Sequence, residues 1–120
     1  MPEVDLSLAR LVEADLSGAT LTRGYLTDAK LRRAILRRAD LTKVSMSKAN
    51  FVRANLTEAV LVGADMSETV LIGANLTGVD LTRADLSRAN LSGANLTGAD
   101  QSRAELWGAN LDRKSTRLNS

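Results

Sequence analysis

The chain has 120 residues, with 16 Lys and Arg, 14 Asp and Glu, one each of Trp, Tyr and Phe, and neither His nor Cys. Without His or Cys there can be no Ser-His-Asp or Cys-His catalysis, no imidazole or thiolate metal site and no disulfide, so enzymatic options reduce to carboxylates and lysines. The length is that of one domain, no apolar run reaches the 18 residues needed to span a bilayer, and Met1-Pro2-Glu3 opens without the basic stretch and apolar run of a signal peptide. A cytoplasmic protein without membrane association is the expectation.

From Leu6 to Leu111 every fifth residue is a centre, i, and 18 of these 22 centres are Leu; the others are Met46, Phe51, Met66 and Gln101. Position i−2 is Ala in 17 of the 22, the exceptions being Val4, Gly24, Val44, Thr69 and Val79. Asp or Asn is frequent at i−1, Ser or Thr at i+1, and Gly, Arg, Lys or Glu at i+2. An internal repeat this regular decides the architecture before any propensity does.

On an α-helix a step of five advances about 140°, which would scatter the leucines around the cylinder. On a flat strand, residues five apart point to opposite faces. The period is satisfied when the chain turns a corner once per repeat, with i−2 and i inward and the other three positions outward. A small Ala then alternates with a large Leu in a narrow closed core, while Asp, Asn and Gly suit the corners. The irregularities indicate coil size. Val4, Gly24 and Val44 are 20 apart, Met46 and Met66 are 20 apart, and Val12, Val52 and Ile72 fall at multiples of 20. Four sides per coil follow, and the 22 pentapeptides make about five and a half coils.

Segments such as Ala14-Asp15-Leu16-Ser17-Gly18 and Ala94-Asn95-Leu96-Thr97-Gly98 carry the pattern A(D/N)LXX, and on these residues the chain resembles the pentapeptide-repeat family. The resemblance covers Val4 to about Asp112. It implies an all-β fold, a right-handed quadrilateral parallel β-helix, over residues 1–111.

Residues 112–120 leave the repeat. Asp112-Arg113-Lys114-Ser115-Thr116-Arg117-Leu118-Asn119-Ser120 is the translation of a common sequencing-library adapter read in frame, so this tail is expected to be artefactual and disordered. Setting its three basic residues and one acidic residue aside leaves 13 of each sign in residues 1–111, so the net charge of +2 is no argument for nucleic acid or an anionic surface. What naturally follows Leu111 is then unknown.

Several constellations stand out. Asp65, Asp85 and Glu105, and separately Asp80 and Asp100, should stack one coil apart; paired carboxylates can hold a cation or share a proton, but the repeat itself accounts for Asp at i−1, and a solvated turn ladder is expected. Arg23, Lys43, Arg83 and Arg103 should form a basic column interrupted by Gly63, with Arg33 and Arg53 on another side and Arg32, Arg37 and Arg38 nearby. A basic stripe can track phosphates, but no aromatic residues interleave for base stacking, so no specific nucleic acid is expected. Outward Val52, Val70 and Ile72 should lie together, with Val60 and Val62 as a second patch, and these five are the candidate partner surface. Asn55, Asn75, Asn90 and Asn95 head sequons that the repeat generates by itself. Gln101 would bury an amide at a cost of roughly 1–3 kcal/mol unless hydrogen-bonded. Trp107 reads as a lid over the last coils or a contact to residues beyond them rather than a binding aromatic.

With catalysis and cofactors finding no support, the expected function is a non-enzymatic scaffold that binds an unidentified protein partner through its flat sides. Family resemblance supplies an alternative, a DNA mimic that protects type II topoisomerases, although mimicry calls for a strongly negative rod and this chain is balanced. The chain could equally be the repeat segment of a longer protein. An open C-terminal coil would favour a homodimer through that end.

Overall fold

In a computed structural model, residues 3–112 are described. They wind into a quadrilateral parallel β-helix. All the β-bridges are parallel and join residues 20 apart, as in Asp5↔Tyr25, Tyr25↔Ser45, Ser45↔Asp65, Asp65↔Asp85 and Asp85↔Glu105. Four such ladders run along the rod, one per side. We number the faces in chain order from the pentapeptide centred on Leu6. Face 1 holds 4–8 and its equivalents 24–28, 44–48, 64–68, 84–88 and 104–108; face 2 starts at 9–13, face 3 at 14–18 and face 4 at 19–23, each recurring every 20 residues. Faces 1 and 3 are opposite one another, as are faces 2 and 4.

One pentapeptide shows why the turn repeats. The Leu56 N–H donates to Asn75 O at 2.8 Å and the Glu58 N–H to Thr77 O at 2.8 Å, both on the next coil, while the Asn55 N–H donates back to Ala34 O at 2.9 Å. The Ala59 N–H closes the corner onto Leu56 O at 2.9 Å. The fifth donor, the Thr57 N–H, is taken by the Asn55 side chain, Oδ1 at 3.1 Å. All five backbone donors are thereby used, as a wall one residue thick between core and water demands.

The corner itself lies at i+2. Every i+2 residue from Leu8 to Gly108 has φ between 57° and 72°, and 14 of them are not glycine. A left-handed non-glycine residue costs roughly 1–2 kcal/mol, and here the ladder bond from the same residue's N–H, as at Glu58, offsets it.

The core is a column of centres and alanines buried from Leu26 to Ala99. At the first coil Leu6, Leu11, Leu16 and Leu21 are only partly buried, as are Ala104, Leu106 and Ala109 at the other end. Phe51 is fully buried in mid-rod, with Met46 and Met66 on the adjoining face. Methionines are the flexible neighbours that let a ring enter a Leu-lined layer. Thr69 is the buried polar residue at i−2, and its Oγ1 donates to Met66 O at 2.7 Å. Gln101 does not bury an amide at full cost. It stands in the last coil of face 4 and is only partly covered.

Gly24 answers a packing need. It is the one glycine without a left-handed φ, and a Cβ there would meet Val4 O at 2.9 Å and Val4 Cγ1 at 3.0 Å. Gly24→Ala, although it installs the commonest i−2 residue, is expected to destabilise the first coil by about 1–3 kcal/mol through overpacking. Chemical denaturation would show this as a lower midpoint, only partly restored by Val4→Ala because two of the clashing atoms, Val4 O and Leu21 O, are backbone.

Candidate functional site

Each face presents two outward rows, i−1 and i+1, and a corner column at i+2. The i−1 row is largely committed to the fold. Among the described residues from Asp5 to Ser102, an Asp or Asn Oδ1 accepts the N–H two residues on in 12 pentapeptides, from Ser7 on Asp5 at 3.0 Å to Ser102 on Asp100 at 3.0 Å. The Ser or Thr at i+1 often adds its hydroxyl to the same oxygen, as Thr42 does on Asp40 at 2.6 Å and Ser67 on Asp65 at 2.7 Å. These are Asx turns, and they explain the pairing of Asp/Asn with Ser/Thr across the centre.

Four carboxylates held this way are acidified. Asp15 and Asp100 lie below the ordinary value of 3.8, chiefly through the hydroxyls of Ser17 and Ser102, and Asp5 chiefly through the Ser7 backbone N–H. Asp40 is also lowered, by the Thr42 hydroxyl first, with partial burial opposing. A depressed native pKa means the unfolded chain binds protons first as pH falls. The stabilisation is therefore complete above 3.8 and drains away as pH drops through the lower native values. Urea midpoints are expected to hold from neutrality to about pH 4.5 and then decline. Asp40→Asn, which keeps the acceptor oxygen, should leave the neutral midpoint nearly unchanged and flatten the acid limb; a chain that gained stability on acidification would contradict this.

The stacked acids are part of the same pattern. Asp65 and Asp85 pair in one ladder and Asp80 and Asp100 in another, each with Oδ1 turned onto its own backbone. Among the described residues no group of three or more acids is placed to hold a metal ion.

The fold behind these faces is shared with known proteins. The family described as Pentapeptide repeats matches in eight copies, within residues 1–27, 9–47, 25–57, 49–88 and 80–113. The chain belongs to the pentapeptide-repeat family. Its fold is the family's right-handed quadrilateral β-helix. The pentapeptide-repeat protein Rfr23 of the cyanobacterium Cyanothece 51142 is 35% identical with a TM-score of 0.70, over 81% of this chain and 63% of that one. HetL, a pentapeptide-repeat protein involved in heterocyst differentiation regulation in Nostoc sp. strain PCC 7120, is 32% identical over 89% of this chain and 74% of that one, with a TM-score of 0.32. QnrB1, a plasmid-mediated fluoroquinolone resistance protein, is 20% identical over 92% of this chain and 78% of that one, with a TM-score of 0.45. This chain thus spans less than two thirds of the Rfr23 chain. Curated protein sequences include no significant match. Among the described residues no helix is long and apolar enough to cross a membrane.

Within this pentapeptide-repeat rod the sequence candidates separate. Val52, Val70 and Ile72 share face 2, where Val52 and Val70 are half-buried and Ile72 is 39% exposed. Val60 and Val62 sit on face 4, on the far side of the rod, so the four valines and the isoleucine do not form one surface. Arg23, Lys43, Arg83 and Arg103 do line one corner, that of face 4, and all four are exposed. Their neighbours in the i−1 row are Asp40, Asp80 and Asp100, so the column belongs to a nearly neutral side.

Basic charge concentrates elsewhere. Face 2 carries Arg10, Lys30, Arg32, Arg33 and Arg53, all exposed, against Glu13 and Asp112. Around the next corner Arg37 and Arg38 follow on face 3, where Arg38 pairs with Glu58 at 2.9 Å. Face 1, next to face 2, is acidic: Asp5, Asp28, Asp65, Glu68, Asp85 and Glu105 against Lys48 and Arg88. From sequence, Arg33 and Arg53 were placed on one side with Arg32 nearby, but Arg10 and Lys30, which sit at a different repeat position, were left out; sorting every outward residue by remainder on division by 20 would have found them.

Trp107 is not a lid. It is 71% exposed on face 1, the Arg88 guanidinium lies 5.4 Å from its ring centroid, and Arg88 also approaches Glu68 at 3.9 Å. The ring is engaged from the coil below by a cation–π contact. Of the tail, only Asp112 falls among the described residues; the expectation for the rest lies outside them.

Proposed function

We propose that this chain is a non-enzymatic module that binds a protein partner on a flat face. The observation that carries the reading is the commitment of the outward Asp, Asn, Ser and Thr side chains to Asx turns. Hydroxyls and carboxylates tied to the backbone two residues away are poor nucleophiles and bases, and with neither His nor Cys in the chain, reactive chemistry has little to draw on. A rigid rod with distinct sides suits recognition instead.

The test is chemical cross-linking of the full chain in lysate of its source cells, with mass spectrometry of the products, repeated with one charge-altered variant per face. A partner lost with one face and retained with the other three supports the reading; products indifferent to all four would contradict it.

The DNA-mimic alternative needs a rod that is acidic along its length. Here the acidic face 1 carries Lys48 and Arg88 and adjoins a basic face 2, so added protein is expected to leave gyrase supercoiling unchanged. A homodimer through the C-terminal coil has one observation behind it: Leu106 and Ala109 are partly open and Leu111 is 37% exposed. Sedimentation at rising concentration would show that association or a constant monomer. Whether the chain works alone or as a segment of a longer protein is tested by sequencing the source DNA across the Leu111 codon with primers free of library adapters, and a cytoplasmic location by fractionating the source cells.

A further inference from the structure

Face 2 departs from the repeat in a way that stability does not explain. Its i−1 row reads Arg10, Lys30, Asn50, Val70, Asn90, and its i+1 row Val12, Arg32, Val52, Ile72, Ser92. Asn50 and Asn90 make the usual turn bonds, to the N–H groups of Val52 and Ser92. Arg10, Lys30 and Val70 cannot, because none carries a side-chain acceptor. Asn at Val70 and Ser at Ile72 are the residues the repeat uses elsewhere, and they would strengthen this wall. A local rule broken without a folding gain marks a surface kept for contact.

Resting on the protein-binding reading above, we infer that face 2 docks an acidic amphipathic helix lying along the rod, with aliphatic turns on Val52, Val70 and Ile72 and acidic turns on Lys30, Arg32, Arg33 and Arg53.

Charge sets the partner's sign. None of Lys30, Arg32, Arg33 and Arg53 makes an ion pair with a described residue, and the acidic groups bordering them are Glu13, Asp28 and Glu68, of which Glu68 is turned to Arg88. The aliphatic trio sets its second property. Phosphates leave an isoleucine and two valines uncovered, whereas a polypeptide with apolar side chains covers them. Topography permits the approach. The corner beside Val70 and Ile72 is Gly73, with Gly93 on the next coil; beside Val52 it is Arg53, whose stem lies over Gly73, where a Cβ would come to 3.3 Å of Arg53 Cγ. Successive coils are about 4.8 Å apart and successive turns of a helix about 5.4 Å, so over the three coils from Arg32 to Ile72 a helix stays close to register, one turn per coil.

The test uses a fluorescein-labelled synthetic peptide of about 18 residues, five helical turns, with Leu along one stripe of two turns and Glu elsewhere. Its anisotropy is titrated with the full chain at low and moderate salt, beside polyglutamate of equal length and a labelled DNA duplex. The peptide should bind most tightly. Arg32→Glu with Arg53→Glu should weaken it about tenfold or more, and Val70→Asn with Ile72→Ser about fivefold. Apart from Glu at position 32, these changes install residues that the repeat already carries at the same position, and denaturation midpoints no lower than the parent's would show that the fold is intact. Arg83→Glu with Arg103→Glu, the charge-matched change on face 4, should have little effect.

No peptide binding overturns the inference. So do polyglutamate binding as tightly as the peptide, tighter binding of the duplex, and equal loss with the face 4 variant. Failure here with a cross-linked partner that maps to another face leaves the protein-binding reading standing; failure of that reading is the cross-linking result indifferent to all faces.

Discussion

Phe51→Ala is expected to lower the unfolding free energy by about 3–5 kcal/mol, the largest loss for a single truncation in the chain. The ring is fully buried in mid-rod, with coils stacked above and below and the equally buried Met46 and Met66 on the adjoining face. A globular core can relax into a cavity from several directions. Here the wall is held by ladder bonds on both sides, such as Phe51 N–H to Val70 O at 2.7 Å, so collapse is limited and most of the cavity term remains. Phe51→Leu restores the residue found at most centres and should cost under about 1.5 kcal/mol. Leu6→Ala, in the partly buried first coil, should cost less than Phe51→Ala by a clear margin. Equal losses at Leu6 and Phe51 in denaturation experiments would mean that the rod does not bury its centre more deeply than its end.

Ala39→Leu is the converse experiment and is expected to destabilise by about 1–3 kcal/mol or more. Ala39 is fully buried, its position is i−2 on face 4, and its carbonyl accepts the Val60 N–H at 2.9 Å. The layer has room for one large side chain per side, which the centre already supplies. Added methylenes must push the wall outward and stretch ladder bonds to two neighbouring coils. The same substitution at Ala9, partly buried in the first coil, has solvent to expand into and should be milder. A neutral Ala39→Leu would refute the alternation of small and large residues as the packing rule.

The two inward positions were legible in the sequence because they are governed by volume, and volume is written in residue type: Ala at i−2, Leu at i. Coil size was legible only where the repeat errs. Met46 over Met66 is one such mark, and the Val4, Gly24, Val44 series is another, in which the close approach of Val4 accounts for the glycine at 24. The corner was half legible. Gly18 or Gly98 announces a left-handed residue, but Arg33, Arg53 and Glu58 adopt the same φ, and nothing in an arginine or glutamate signals that. There the ladder imposes the conformation, so the information sits in the next coil and outside the pentapeptide. The Asx turn was hidden for a related reason: Asp is compatible with many turns, and only the geometry shows its oxygen on the N–H two residues ahead.

The surface was the least legible part. Val60 and Val62 are nearer to Val52 in sequence than Ile72 is, yet two corners carry them to the opposite side. Sequence distance is misleading in a solenoid, where contact recurs at one coil and separation is greatest at half a coil. The basic group of face 2 was only partly visible: Arg32, Arg33 and Arg53 were grouped, while Arg10 and Lys30, at a different position of the repeat, were not.

All of these assignments depend on the 20-residue coil, and the absence of native cysteine allows a clean test. The measurement is disulfide closure in two double variants, Val52→Cys with Ile72→Cys and Val52→Cys with Val62→Cys, under mild oxidation, read by non-reducing electrophoresis and mass. Neighbouring coils place equivalent residues about 4.8 Å apart, within the range a disulfide spans. The first pair is expected to close within one chain and the second to stay reduced. Closure of the second pair, or an unreactive first pair in a folded protein, would contradict the four-sided coil and with it the placement of every surface residue discussed above.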